Sequence, residues 1–240
     1  MDVAIISQAR IGSTRLPGKV LLNINDKSLL EYHIERLKWS FLPVIIATTV
    51  SKRDDSIIKI CQDTETMFFR GDEDNVLCRY YKCAVKNKID IIIRVTSDCP
   101  LADGSLIKNG IELFKKHRVD YLSNTVNRTF PRGFDFEIFT FKALEEAYAN
   151  ADTMPEKEHV TPYIWKTHPD KFKILDFKND IDKSKYRITV DMKEDFALMK
   201  KLIEDFDAGK KTYKEIIELL DSNPNVANIN KDVKQKTYWE

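Results

Sequence analysis

Three cations, Arg10, Arg15 and Lys19, share one short stretch with Gly12 and Gly18, directly after the apolar run 3–6. Side chains of this charge can surround a polyphosphate, and backbone N–H groups around a Gly12-Ser13 turn can line a nest for its oxygens. The chain holds only seven glycines, so two in one loop mark backbone that turns sharply or approaches something closely. The stretch is neither a Walker A sequence nor a GxGxxG fingerprint. Arg10, Gly12, Ser13, Arg15 and Lys19, with Ala9 at the entrance of the loop, could therefore contact a polyphosphate. A solvated basic loop is the plainer alternative.

Two aspartates far along the chain suit a hard divalent cation. Asp98 stands in Arg94-Val95-Thr96-Ser97-Asp98-Cys99-Pro100-Leu101, at the carboxyl end of the most apolar run. Magnesium needs one or two carboxylates when phosphate oxygens and water complete its shell, although a turn aspartate that only accepts backbone N–H bonds would be spelled the same way. Asp191, in Val190-Asp191-Met192-Lys193-Glu194-Asp195, ends a strand and starts a helix. With Glu194 three residues on, it is expected to be an N-cap that keeps one oxygen for a metal. Asp195 would support the first turn through the helix dipole or through water.

A second set of polar residues suits a sugar. Residues 134–140 alternate strictly, placing Asp135 and Glu137 side by side where carboxylates could bind hydroxyls, and His159 could take a proton from an attacking group. The same residues could simply face water. Thr48 and Ser51 follow the second strand and could touch base or ribose. Arg94 could help at the phosphates or form a structural ion pair within its strand.

These positions need a scaffold. Strand-like runs at 3–6, 43–49, 66–69 and 90–96 alternate with helical patterns at 28–37, 54–61 and 75–85, the first opened by a Ser28/Glu31 capping box. Such alternation predicts βαβ units and a parallel sheet covered on both faces, with ligands beyond the carboxyl ends of its strands. From residue 120 the pattern shifts to short strands at 120–124, 134–140 and 172–177, with helices at 141–150 and 155–165. A strand at 186–190, a helix from Asp191 and two short helices over 212–239, parted near Pro224, complete the reading. It is one domain over 1–240: a nucleotide-binding half (1–118), an acceptor lobe (119–185), and a return strand with C-terminal helices (186–240).

With 240 residues, 42% of them hydrophobic, the chain can bury a full core. A net charge of +1 argues against an extended nucleic-acid surface and leaves room for a local cationic pocket. Cys61, Cys78, Cys83 and Cys99 form no CxxC pair, which suggests reduced thiols and a cytoplasmic protein. The sequence shows no signal-peptide pattern and no run long enough to span a bilayer, so no membrane partner is expected.

As spelled, QARIGSTRLPGKVLL resembles the opening signature of the spore-coat-polysaccharide type cytidylyltransferases, relatives of the enzymes that activate KDO and sialic acids as CMP-sugars. The likeness continues through Arg70-Gly71-Asp72-Glu73-Asp74-Asn75-Val76-Leu77, Pro131-Arg132-Gly133-Phe134-Asp135-Phe136-Glu137 and Glu158-His159-Val160-Thr161-Pro162-Tyr163. It reaches Asn223-Pro224 and Asn228-Ile229-Asn230, and so covers nearly the whole chain. The resemblance implies a Rossmann-like three-layer α/β/α fold of the GT-A/nucleotidyltransferase type, with a mostly parallel sheet and a small antiparallel acceptor and dimerisation lobe. It further implies CTP as donor, a small sugar-type acceptor, a homodimer, and Mg²⁺ (or Mn²⁺) held by Asp98 and Asp191. Arg15, Lys19 and Asp98 would then be catalytic. Family members often differ at Asn75, at Lys157 and in the run that here reads PRGFDFE, departures that leave the acceptor open.

The expected reaction is nucleotidyl transfer: an acceptor oxygen attacks the α-phosphorus and pyrophosphate leaves. Two rivals stand beside it. A metal-dependent glycosyltransferase of GT-A type would need a DxD motif, for which Asp72-Glu73-Asp74 is the near candidate. A non-catalytic nucleotide-binding coat-assembly module would bind CTP without turnover.

Overall fold

The computed structural model describes residues 2–13 and 15–235. Thr14 of the basic loop and the 236–239 end of the expected tail lie outside them. Among the described residues the frame is a seven-stranded sheet in the order β5-β4-β1-β6-β8-β7-β9. Its strands are β1 (Val3–Gln8), β4 (Val44–Thr49), β5 (Met67–Gly71), β6 (Ile91–Thr96), β7 (Tyr121–Ser123), β8 (Glu137–Thr140) and β9 (Ile174–Asp176). The pairs β1/β4, β4/β5 and β1/β6 are parallel, whereas β8 lies antiparallel to both β6 and β7. A separate antiparallel hairpin joins β2 (Asn23–Ile24) to β3 (Lys27–Ser28).

Alternating residues of the central strands feed two cores. Val3 and Ile5 of β1 pack with α1 (Leu29–Leu37), α4 (Gly104–His117), α7 (Lys193–Phe206) and α8 (Tyr213–Ser222), while Ala4 and Ile6 face α3 (Val76–Asn87) and α5 (Phe141–Asn150). Burial on both faces explains why β1, β4 and β6 are apolar runs. The helices α2 (Asp55–Asp63), α6 (Met154–His159) and α9 (Pro224–Ala227) complete the set. No helix among the described residues is long and apolar enough to cross a membrane.

Strand order reverses direction between β1 and β6: the chain steps outward from β1 to β4 and β5, then returns to β1's other side. Such a switch point opens a crevice at the carboxyl ends of the two strands. The loop after β1 and the loop after β6 flank it.

Several segments differ from the sequence reading, the β2/β3 hairpin among them. Helix α4 was not anticipated; Asp103 caps it through Ser105 and Leu106 N–H, and Gly110 lets Phe136 pack against it. Residues 186–190 form no strand. They run beside 131–132 with one bridge, Arg132 to Arg187, because Val190 N–H bonds to Asp98 O and Gly133, at φ 111, crowds Ile188. The helix expected over 155–165 stops at His159 and resumes as a turn over Tyr163–Thr167, since Pro162 has no N–H to continue it. Only Glu137–Thr140 of the alternating segment pairs as a strand.

Candidate active site

The basic loop is closed at its neck by one carbonyl. Ile11 O accepts both Ser13 N–H at 2.7 Å and Gly18 N–H at 3.1 Å. Ser13 N–H is therefore engaged, contrary to the expected Gly12-Ser13 nest, and the glycine that needs a left-handed backbone is Gly18, at φ 67. Gly18 turns the chain so that Lys19 points inward. The start of the loop hangs on Asp54, which accepts Ile11 N–H at 2.9 Å and Thr49 Oγ1 at 2.5 Å.

Lys19 joins the two distant aspartates. Its Nζ donates to Asp98 Oδ2 at 2.9 Å and to Asp191 Oδ1 at 2.7 Å, spanning 172 residues of sequence. Arg15 Nη2 lies 3.0 Å from that same Asp191 oxygen. Backbone bonds set this approach: Asp98 O accepts Val190 N–H at 2.8 Å and Thr189 Oγ1 at 3.1 Å. Burial disfavours the charge on Asp98, but Lys19, with Thr96 and Cys99, outweighs it and holds the carboxyl below its usual range. Burial likewise opposes the Lys19 charge, and Asp98 and Asp191 together raise its pKa.

Asp191 is not the N-cap. Helix α7 begins at Lys193, and Asp195 closes its first turn by accepting Asp191 N–H and Met192 N–H, each at 3.0 Å. The helix starts later than read, so the capping carboxylate is Asp195 rather than Glu194, and the Asp191 side chain is left to the cations. Its Oδ2 is held by Arg187 Nη2 at 2.9 Å; Arg187 also grips Asp195, which Asn230 Nδ2 supports at 2.7 Å. Arg187 and Asn230 escaped the sequence reading. Arg187 lies four residues before Asp191, a spacing that could have drawn attention to it.

A second group forms around Glu137, 4% exposed. Its Oε1 accepts Tyr121 OH and Thr161 Oγ1, both at 2.5 Å, and its Oε2 pairs with Arg94. Glu137 is thus a buried, fully engaged carboxylate, not a member of a water-facing pair. Its neighbour Asp135 is held instead by both Arg128 nitrogens, at 2.5 and 2.9 Å. His159 lies close enough to Arg94, Glu158 and Glu137 for their charges to act on its ring, and burial with Arg94 lowers its pKa.

The other candidates take separate places. Arg10 is exposed, and its charge is felt by Arg79. Ala9 is buried and bonds Ala47 O; Gly12 faces Glu73. Thr48 is buried, and its Oγ1 finds no hydrogen-bond partner among the described residues. Ser51 N–H bonds Thr49 Oγ1. The near-DxD residues do not gather a metal site: Asp72 Oδ1 accepts Asp74 and Asn75 N–H ahead of α3, and Glu73 pairs with Arg53. Behind Asp98, the buried ring of His33 bonds Ser7 Oγ and Cys99 O, each at 2.8 Å.

Crossed loops at a switch point, with cations and two carboxylates converging there, define an α/β protein built to handle a nucleotide polyphosphate. A model of the cytidylyltransferase family matches residues 3–238, and the chain belongs to that family. It is 39% identical over its full length to an uncharacterized protein of Methanocaldococcus jannaschii. It is also 32% identical to the spore coat polysaccharide biosynthesis protein SpsF of Bacillus subtilis, over 94% of this chain and 97% of that one. Among solved structures, a cytidylyltransferase from Leptospira borgpetersenii superposes with a TM-score of 0.91 at 37% identity, covering 99% of this chain and 100% of that one. A CMP:2-keto-3-deoxy-manno-octonic acid synthetase complexed with CTP shares the fold at TM-score 0.65 and 17% identity, over 85% of this chain and 99% of that one. The chain is accordingly a CTP-dependent nucleotidyltransferase.

Proposed function

We propose that the enzyme transfers CMP from CTP to a hydroxyl of a sugar acid or related sugar in the synthesis of a surface polysaccharide. The acceptor oxygen bonds to the α-phosphorus, its proton passes to a protein base, and the bond from that phosphorus to the bridging oxygen breaks. Pyrophosphate leaves with the electron pair. The reading rests on one observation above the rest: Lys19 and Arg15 meet Asp98 and Asp191 at the switch-point crevice. Phosphoryl chemistry of this kind depends on alignment and charge neutralisation more than on covalent work by the protein.

The residues fit a divalent ion. No cluster of three or more His, Cys, Asp or Glu that could hold a metal lies among the described residues, so the protein offers two carboxylates and leaves the rest to phosphate and water, the pattern magnesium favours. The Lys19 ammonium, bonded to both, stands in for such a cation. Asp98 and Asp191 would hold Mg²⁺ or Mn²⁺, which when bound neutralises charge on the triphosphate. Lys19, Arg15 and Arg10 then orient the phosphates, while Arg187 fixes Asp191. Asp135 lines the acceptor side, the buried Glu137 fixes the shape behind it, and His159 is the base.

Four buried, unpaired cysteines favour a reducing compartment, and we place the enzyme in the cytoplasm, as a homodimer joined through residues 119–185. Light scattering that finds a monomer removes the dimer. The deciding assay is pyrophosphate release from CTP, UTP, ATP and GTP, with Mg²⁺ and with a chelator, against a panel of sugar acids and sugar phosphates that includes 3-deoxy-manno-octulosonate. Magnesium-dependent release with CTP and one acceptor supports the proposal. CTP binding without release across the panel counts against it.

A further inference from the structure

Val160 bends the chain directly after α6 at φ 72, ψ −52, and Thr161 N–H donates to His159 O across the bend at 2.8 Å. This is a γ-turn of the positive-φ kind, rare and strained, and a β-branched side chain is poorly suited to it. The other positive-φ residues with side chains among those described, Asn25, Phe41, Glu65, Lys88, Arg118 and Asp207, lie between φ 50 and 58. Several of them are ordinary left-handed helix ends, as at Lys88 after α3 and Arg118 after α4. Ending a helix in this protein does not require what Val160 does.

The bend places its two neighbours on the same target. Thr161, 1% exposed, donates to Glu137, and the His159 ring senses Arg94 and Glu137 from the other side of the turn. Val160 itself is fully buried in the core that includes Phe139, Ala143 and Tyr163. Burial of that side chain offsets the strain of the turn. On β6, Arg94 and Thr96 share a face about 6.6 Å apart, and the Thr96 side chain bonds to Asp98. The cluster around His159 therefore sits one step along the strand from the carboxylate proposed to hold the metal.

We propose that Val160 is a positioning residue, whose strained γ-turn delivers the His159 imidazole to the acceptor side of the site, where it receives the hydroxyl proton. The placement stands on the turn geometry and the Thr161 bond to Glu137, with the His159 ring within electrostatic reach of Arg94 and Glu137; the proton transfer rests on the CMP-transfer reading above. Burial and Arg94 favour the neutral ring, against the weaker opposing pull of Glu158 and Glu137.

The test compares Val160→Ala with Val160→Gly, using Ile164→Ala, from the same buried core, as a packing control. Alanine loses the buried methyls but keeps the Cβ that resists positive φ, so the turn opens. Glycine loses both anchor and penalty and can still turn. The His159 ring, one of four histidines, is followed by NMR titration and identified by its loss in His159→Asn. In Val160→Ala its midpoint rises toward the ordinary histidine value and kcat for pyrophosphate release from CTP with the active acceptor falls about ten-fold, with KM for CTP unchanged. Val160→Gly keeps the low midpoint and a kcat within about three-fold of the parent. Ile164→Ala lowers the melting temperature and moves neither. The proposal is overturned if alanine equals or exceeds glycine in both readouts, or if the His159 titration is unmoved in Val160→Ala. A shifted titration in an enzyme that releases no pyrophosphate from any pair tested supports the placement and sinks the CMP-transfer reading instead.

Discussion

The Lys19 cluster and the Glu137 cluster both hold carboxylates against cations, yet they are built for opposite purposes. Arg15, Asp98 and Asp191 sit on loops and Lys19 opens a single 3-10 turn, with side chains 30%, 26%, 9% and 13% exposed. Lys19 and Arg15 are held by these carboxylates, and on the proposed reading each cation exchanges a carboxylate for a phosphate. Arg94 and Glu137 face each other across the antiparallel pair β6/β8, and Tyr121 and Thr161 fill the remaining positions on the carboxylate. Nothing there can exchange without leaving a buried charge uncompensated. Loops that carry charges able to change partners are suited to turnover, and a strand-mounted pair whose carboxylate is engaged on both oxygens is suited to holding shape.

Substitutions that sever stability from activity would sharpen that contrast. Asp98→Asn or Asp191→Asn should reduce magnesium-dependent pyrophosphate release by about a thousand-fold or more, with the urea midpoint shifting little for Asp98 and more for Asp191, whose loss weakens a buried pair with Arg187. If either variant unfolds while its residual molecules turn over normally, the loop cluster is structural and the contrast collapses. Glu137→Gln should do the reverse, lowering unfolding stability by about 3–5 kcal/mol because Arg94 is left charged and buried, with CTP affinity by calorimetry unchanged. A fully stable Glu137→Gln would mean that the pair is no more fixed than the loops.

A third check lies behind the loop cluster. Since Cys99 O can only accept, His33 Nδ1 carries the ring proton and Nε2 accepts from Ser7; burial lowers the ring's pKa from 6.5 to about 4. The unfolded chain therefore binds a proton that the folded protein refuses between those values. The contribution of His33 is complete above pH 6.5 and is lost as pH falls toward 4, by about 3 kcal/mol in all. Urea midpoints from pH 7 to 4.5, compared with those of His33→Gln, would expose a flat profile if the ring is not buried as a neutral group. The smallest effect belongs to Asn230→Ala: about 1–2 kcal/mol of stability by denaturation, from bonds lost to Arg187 O and Asp195.

The loop cluster was legible because cations after β1 and carboxylates at the starts of loops or helices need only a parallel sheet to bring them together. Strand patterning supplied that sheet. The Glu137 cluster was not legible in the same way. Alternation puts Glu137 opposite Phe136 and Ile138, but only the packing of 160–164 over that face decides that it is buried. Arg187 looks like an ordinary surface residue until Asp191 is known to need holding; Asp195 was expected at the first turn, but its grip by Arg187 and Asn230 was not. Helix α4 hid behind Gly104 and Gly110, residues that ordinarily weaken a helix and here admit Phe136 and the chain at Leu37–Ser40 to close contact.

Asn230 has a consequence for how the enzyme comes into being. Its amide reaches back to the backbone of Arg187 and to Asp195, directly behind Asp191. A nascent chain still short of residue 230 already contains every group proposed to touch CTP, but the acidic anchor of the first α7 turn remains wet on one side. Competence should therefore arrive only once residue 230 has been made, and changes that disturb the segment around it should impair the enzyme from a distance.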